Sequence, residues 1–85
     1  MGEPARILFF GRLADLAGVR ERAMVLPGPT PLSAIIATLT AESADLGRAL
    51  AAPSIRVAVN REIARGAATA GPGDEIAFLP PVSGG

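Results

Sequence analysis

Leucine or isoleucine occupies positions 32, 35, 36 and 39 of this 85-residue chain. The spacing i, i+3, i+4, i+7 lays one apolar stripe along a helix of about three turns. Thr30 reads as its N-cap and Pro31 as its first residue, where a missing N–H is no loss. Such a stripe needs an apolar surface to cover it. The other strongly apolar segments are too short for long helices, so the cover is expected to be a sheet. The helix lying across one sheet face meets the two-layer requirement of an α+β fold.

The strands are read from short apolar runs bounded by turn formers. "ARILFF", Ala5 to Phe10, lies between Pro4 and Gly11. Ile7 and Phe9 share one face and Leu8 and Phe10 the other, so both faces are apolar. "GRLADLAG", Gly11 to Gly18, places Leu13, Leu16 and Ala17 on one or two turns of helix between glycines. Arg20 to Leu26 reads as a second strand, hairpin-paired with the first, with Ala23 and Val25 opposed by Arg22 and Met24. After the main helix, Leu46, Ala49 and Leu50 suggest a shorter helix ending before Pro53. Ile55 to Val59 is a strand, and Asn60-Arg61-Glu62 a turn into Ile63 and Ala64. Arg65 to Gly73 reads as small residues and turn formers. Glu75 to Leu79 is the last strand, with Ile76 and Phe78 toward the core and Ala77 and Leu79 away from it. The expectation is one roll with a mixed four- to five-stranded sheet, one main helix on one face, and short extra helices.

The chain contains no His, Cys, Lys, Tyr or Trp. That removes the usual general base near neutral pH, the usual zinc and copper ligands, the thiol nucleophile, the Schiff-base amine and the phenol acid. Self-contained catalysis and a metal site are not expected. Asp74 and Glu75 adjoin a Gly-Pro-Gly turn and read as a turn residue and a solvated strand start. The glycines of "GPGD" lack the following Lys-Ser/Thr and the helix that a phosphate loop needs. Eight arginines balance eight acidic residues, so no global field draws nucleic acid or an anionic membrane. No apolar run approaches the roughly 18 residues of a membrane span, and no signal peptide opens the chain. A cytoplasmic protein, bound to neither nucleic acid nor membrane, is expected.

What remains is the end, "FLPPVSGG", Phe78 to Gly85. Pro80 and Pro81 cannot donate to a ladder and favour an extended conformation, so they end the sheet. The chain divides into a domain of residues 1–79 and an extended tail of residues 80–85, whose reach at full extension is at most about 20 Å. Gly84 and Gly85 lack Cβ atoms, which lets such a tail thread a narrow channel. A terminal carboxylate has an ordinary pKa of about 3.5 and is a poor electrophile until activated. Converted to an acyl-adenylate by ATP, it becomes open to attack by sulfur or an amine. With no lysine, the chain offers no side-chain amine to attack its own activated end.

Together "ILFFGRLADLAG", "VAVNRE" and "GDEIAFLPPVSGG" resemble the small subunit of molybdopterin synthase, a ubiquitin-like sulfur carrier, over essentially the whole chain. The resemblance implies a β-grasp (ubiquitin-like) fold. It implies that an adenylating enzyme activates Gly85 with MgATP, that a sulfurtransferase carrying a persulfide converts it to a thiocarboxylate, and that this chain itself binds no cofactor. The charged tail then enters the large synthase subunit and gives its sulfur to cyclic pyranopterin monophosphate. On that reading Gly85 is the reacting residue, with Gly84 beside it. The partner-binding residues are Phe10, Ile63, Leu79, Pro80, Pro81 and Val82. The other functions to be weighed are a carrier for cysteine or thiazole synthesis, a ubiquitin-like protein modifier, and an interaction module with an inert tail.

Overall fold

The strand β1, Ala5–Phe9, is an inner strand of the sheet, with Ala5, Ile7 and Phe9 buried on one side while Arg6 and Leu8 lie on the other. In the computed structural model, which describes residues 2–81, β1 is followed by α1 (Arg12–Ala17), β2 (Glu21–Met24), β3 (Thr30–Pro31) and α2 (Leu32–Glu42). Next come α3 (Ala44–Leu50), β4 (Arg56–Val59), β5 (Glu62–Ile63), β6 (Thr69–Ala70) and β7 (Glu75–Leu79). Five strands form a mixed sheet in the order β2-β1-β7-β4-β5. The last strand therefore sits at its centre, parallel to β1 and antiparallel to β4. β1 and β2 form the expected antiparallel hairpin.

Period-2 alternation sends Ala5, Ile7 and Phe9 of β1 and Ile76 and Phe78 of β7 to the helical side, where all five are buried. Phe9 and Phe78 lie side by side in the register, with rings stacked at 5.9 Å. Ile35 and Leu39 of α2 are buried against this face, flanked by the partly buried Leu32 and Ile36. The three-turn stripe thus faces the sheet as expected. Leu46 and Leu50 of α3 and Leu13 of α1 close the core.

Several local expectations are corrected. β1 stops at Phe9, and Phe10 lies just beyond it, its N–H donating to the Phe78 carbonyl at 3.3 Å. β2 is shorter than the expected Arg20 to Leu26, running from Glu21 to Met24. Met24 is buried opposite Ala5 on the core side, while Val25, just past its end, is 85% exposed. Leu16 of α1 is likewise exposed. Thr30 does not cap α2: its hydroxyl donates to the Gly28 carbonyl, and its backbone pairs with Ala70 in a two-stranded ladder of β3 and β6. Pro31 stands at the N-cap, and the Leu32 N–H is satisfied by the Ala68 carbonyl instead. The Arg65 to Gly73 stretch accordingly contains a strand, β6, and buries Ala70. Asn60 and Arg61 both take positive φ, making a two-residue hairpin turn, so β5 begins at Glu62.

Candidate functional site

The helices cover one face of the sheet and leave the other open. Register fixes what that face presents. Across its middle, one row runs Glu21, Leu8, Ala77, Ala58, Ile63 from β2 to β5. Ala77 is on the side expected, facing away from the core, yet it is buried, as is Ala58 beside it. Small residues flanked by larger neighbours are covered without any second layer. The row nearer the start of β7 is charged: Arg6 donates to Glu75 at 2.9 Å and approaches Glu21, and Arg61 approaches Glu75 from the hairpin turn. The row nearer the end of β7 sets Leu79 opposite Arg56 and, continuing the β1–β7 register, beside Phe10.

Of the residues expected to meet a partner, Phe10 and Ile63 are nearly half exposed, at 46% and 48%, where a core role would bury them. Leu79 and Pro80 are half-buried and Pro81 is exposed. Phe10 and Leu79 flank the point where the chain leaves β7, and Ile63 lies across β4 at the far edge of the same face. Val82, Gly84 and Gly85 lie outside the described residues.

The exit of β7 has a built environment that the residue pattern did not disclose. Gly11 adopts φ +57, and a Cβ there would lie 3.1 Å from Cγ of Pro80. The chain reversal after β1 is therefore packed against the first residue after β7. On the helical side of the exit, Pro80 and Pro81 wall a cleft of about 530 Å³ with Arg12, Leu13, Leu16 and Ile55. No periodicity joins α1 to a proline at the opposite end of the chain, so the residue pattern, which set Leu16 on one stripe with Leu13 and Ala17, carried no signal of this cleft.

At the other end of β7, Asp74 locks the preceding turn. Its carboxylate accepts from the Gly71 N–H at 2.7 Å and from the Asn60 amide at 3.1 Å, while the Asn60 side-chain oxygen accepts from the Glu75 N–H. The Gly71 N–H first, and Asn60 second, hold the Asp74 carboxyl below its ordinary pKa. Asp74 and Glu75 are thus engaged in turn and ion-pair geometry, as a turn residue and strand start should be. Among the described residues no group of three or more His, Cys, Asp or Glu could hold a metal ion. None of the described helices is long and apolar enough to cross a membrane.

An open sheet face, and a central strand leading out past two prolines, is the arrangement on which the family comparison bears. Residues 7–85 match the ThiS family. The chain belongs to the ThiS family. This ThiS-family chain is similar in structure to SAMP1 from Haloferax volcanii, at 28% identity and a TM-score of 0.81 over 95% of this chain and 98% of that one. It is also similar to small archaeal modifier protein 1 from Methanosarcina acetivorans, at 21% identity and a TM-score of 0.78 over 100% of this chain and 99% of that one. A Pyrococcus furiosus protein assigned as molybdopterin converting factor subunit 1 matches at 22% identity and a TM-score of 0.78, over 94% of this chain and 99% of that one. The last two likenesses concern the fold. The mixed sheet with helices on one face is the β-grasp fold that ThiS-family and small-modifier proteins share.

Proposed function

We propose that the protein is a sulfur carrier, made of a domain of residues 1–79 and a tail of residues 80–85. An adenylating enzyme uses MgATP to join the Gly85 carboxylate to AMP, releasing pyrophosphate. The terminal sulfur of a sulfurtransferase persulfide then attacks the acyl-adenylate and expels AMP, forming an acyl disulfide. A second thiol cleaves its S–S bond, leaving the thiocarboxylate on Gly85 and a disulfide on the donor side. The tail enters the large subunit of molybdopterin synthase, where the sulfur passes to cyclic pyranopterin monophosphate and Gly85 returns to a carboxylate.

The observation that carries this reading is the exit of β7. The central strand of the sheet leads out past Pro80 and Pro81, beside the apolar Phe10 and Leu79, with Ile63 exposed at the far edge of the same face. A carrier needs an activatable end and a surface to dock, and no catalytic side chain. The ThiS match extends through Gly85, which fits a working role for the last residues. Covering Phe10, Leu79 and Ile63 would offset the cost of ordering the tail, about 1 to 2 kcal/mol per residue.

The test is intact mass after incubation with MgATP, an adenylating enzyme and a sulfur source. The expected result is replacement of one oxygen by sulfur, lost when a residue is appended after Gly85. No shift with a competent enzyme would overturn the reading. A second reading, a ubiquitin-like protein modifier, is favoured by the likeness to SAMP1, a small archaeal modifier protein by name. It uses the same activated end with an amine as acceptor. Covalent conjugates on cellular lysines, in place of a free thiocarboxylate, would support it. A carrier for cysteine or thiazole synthesis would gain the same sulfur yet fail to bind the large synthase subunit.

A further inference from the structure

Arg6, Arg22, Arg48 and Arg61 pair with carboxylates. The other arginines, Arg12, Arg20, Arg56 and Arg65, have no ion-pair partner among the described residues. All four are exposed, and the strand register gathers them at one end of the sheet. Arg56 stands opposite Leu79. Arg65 follows Ala64, whose N–H donates to the Val57 carbonyl, so the continued β4–β5 register sets it beside Arg56. The Arg20 carbonyl accepts from the Phe9 N–H, level with Phe78 near the end of β7. Arg12 opens α1 and borders the cleft walled by Pro80 and Pro81.

This is the end at which β7 leaves the sheet. Asp15 and Glu21 accompany the arginines, lining a shallow depression with Arg20 and Phe10, and Glu21 is approached by Arg6. At the opposite end, Glu3 lies near Gly73, Asp74 and Glu75 open β7, and the cations there, Arg6 and Arg61, are both drawn to Glu75. A chain of formal charge zero therefore carries an asymmetry along its central strand, positive where the tail begins.

We propose that these four arginines form an electropositive collar around the tail exit, and that the protein taking the tail carries an acidic rim at the mouth of its channel. The inference rests on the carrier reading and names the chemistry of its partner. Apolar Phe10 and Val19, each 46% exposed, lie among the arginines. An acidic rim around an apolar centre covers both kinds of surface, whereas a phosphate backbone leaves the apolar side chains uncovered. Exposed rim charges add little each to the final affinity. Their effect is on encounter: opposite fields raise association rates by roughly 10 to 1,000-fold and weaken as salt shortens their reach. The collar brings the molecule up tail first.

The experiment measures association of the full chain with the adenylating enzyme and with the large synthase subunit by stopped flow across a salt series. The variant combines Arg12→Gln, Arg20→Gln, Arg56→Gln and Arg65→Gln, and Arg48→Gln on α3 is the control. The collar predicts a wild-type association rate that falls steeply with salt. The combined variant associates roughly 10-fold or more slowly at low salt, with a flattened salt dependence and a dissociation rate little changed. The control behaves as wild type. If the combined variant does not fold, the Arg12/Arg20 and Arg56/Arg65 pairs replace it. A wild type that gains sulfur normally but associates at a salt-independent rate, or a variant as fast as wild type, overturns the collar and leaves the carrier reading standing. A wild type that gains no sulfur overturns both. Tighter arginine-dependent binding to a single-stranded RNA oligomer than to either protein overturns the acidic rim in favour of nucleic acid.

Discussion

Gly11 serves two needs at once. Its backbone occupies φ +57, ψ −133, a region open to glycine and costly for other residues, and it leaves room for Pro80 at the tail root. Gly11→Ala is expected to lower stability by about 1 to 3 kcal/mol, read from urea denaturation. The sequence marks Gly11 as a break after an apolar run, but its packing against Pro80 joins opposite ends of the chain and has no local signature. Asp74 was legible in kind, since Gly-Pro-Gly-Asp is turn chemistry. Its carboxyl is held below the ordinary value of 3.8, so the fold favours the ionised form. That contribution is present above 3.8 and is lost as pH falls through the lower folded-state value. Asp74→Asn is expected to be less stable than wild type near neutrality, with the gap closing on acidification. Denaturation midpoints across pH check this, and a gap constant with pH would contradict it.

At the scale of elements, α2 was legible because a three-turn stripe has one physical interpretation, and β1 and β7 because short apolar runs ended at Gly11 and at Pro80. The start of α2 was not. Thr30-Pro31 has the chemistry of a helix start, but the backbone of Thr30 is claimed by Ala70, and tertiary pairing outranks the local preference. β6 has two residues, Thr69 and Ala70, too few to display any period. A side-chain cap does exist one helix later, where Ser43 Oγ accepts from the Leu46 N–H at 3.2 Å. Ser43→Ala is expected to cost about 1 kcal/mol. Thermal unfolding measures it, and because α3 lies away from the open face, partner affinity should be unchanged.

For the whole molecule, the resemblance and the strand pattern gave the roll, while the strand order needed the structure. Only the placement of β7 between β1 and β4 decides which residues line the open face. It puts Leu8, Ala77, Ala58 and Ile63 in one row, and Phe10 and Leu79 in the next toward the exit. From alternation alone, Phe10 and Ile63 were as consistent with core as with surface. Their near-half exposure gives opposite expectations for stability and binding. Phe10→Glu and Ile63→Glu are expected to shift stability by no more than about 0.5 kcal/mol, as surface changes do. Each should weaken binding to the large subunit by roughly tenfold or more, as loss of a buried apolar anchor does. Calorimetric titration beside thermal unfolding separates the two effects, and a large loss of stability would return these residues to the core.

The parallel pairing of β1 with β7 also has a bearing on synthesis. Until the last strand leaves the ribosome, β1 and β4 each lack the neighbour that lies between them, and the core lacks Ile76 and Phe78. Contacts so distant in sequence form late. A nascent chain interrupted before Glu75 is therefore not a folded body missing its tail but an unfolded one, open to proteolysis. The fold admits to the cellular pool only copies whose synthesis has reached the strand that carries the tail.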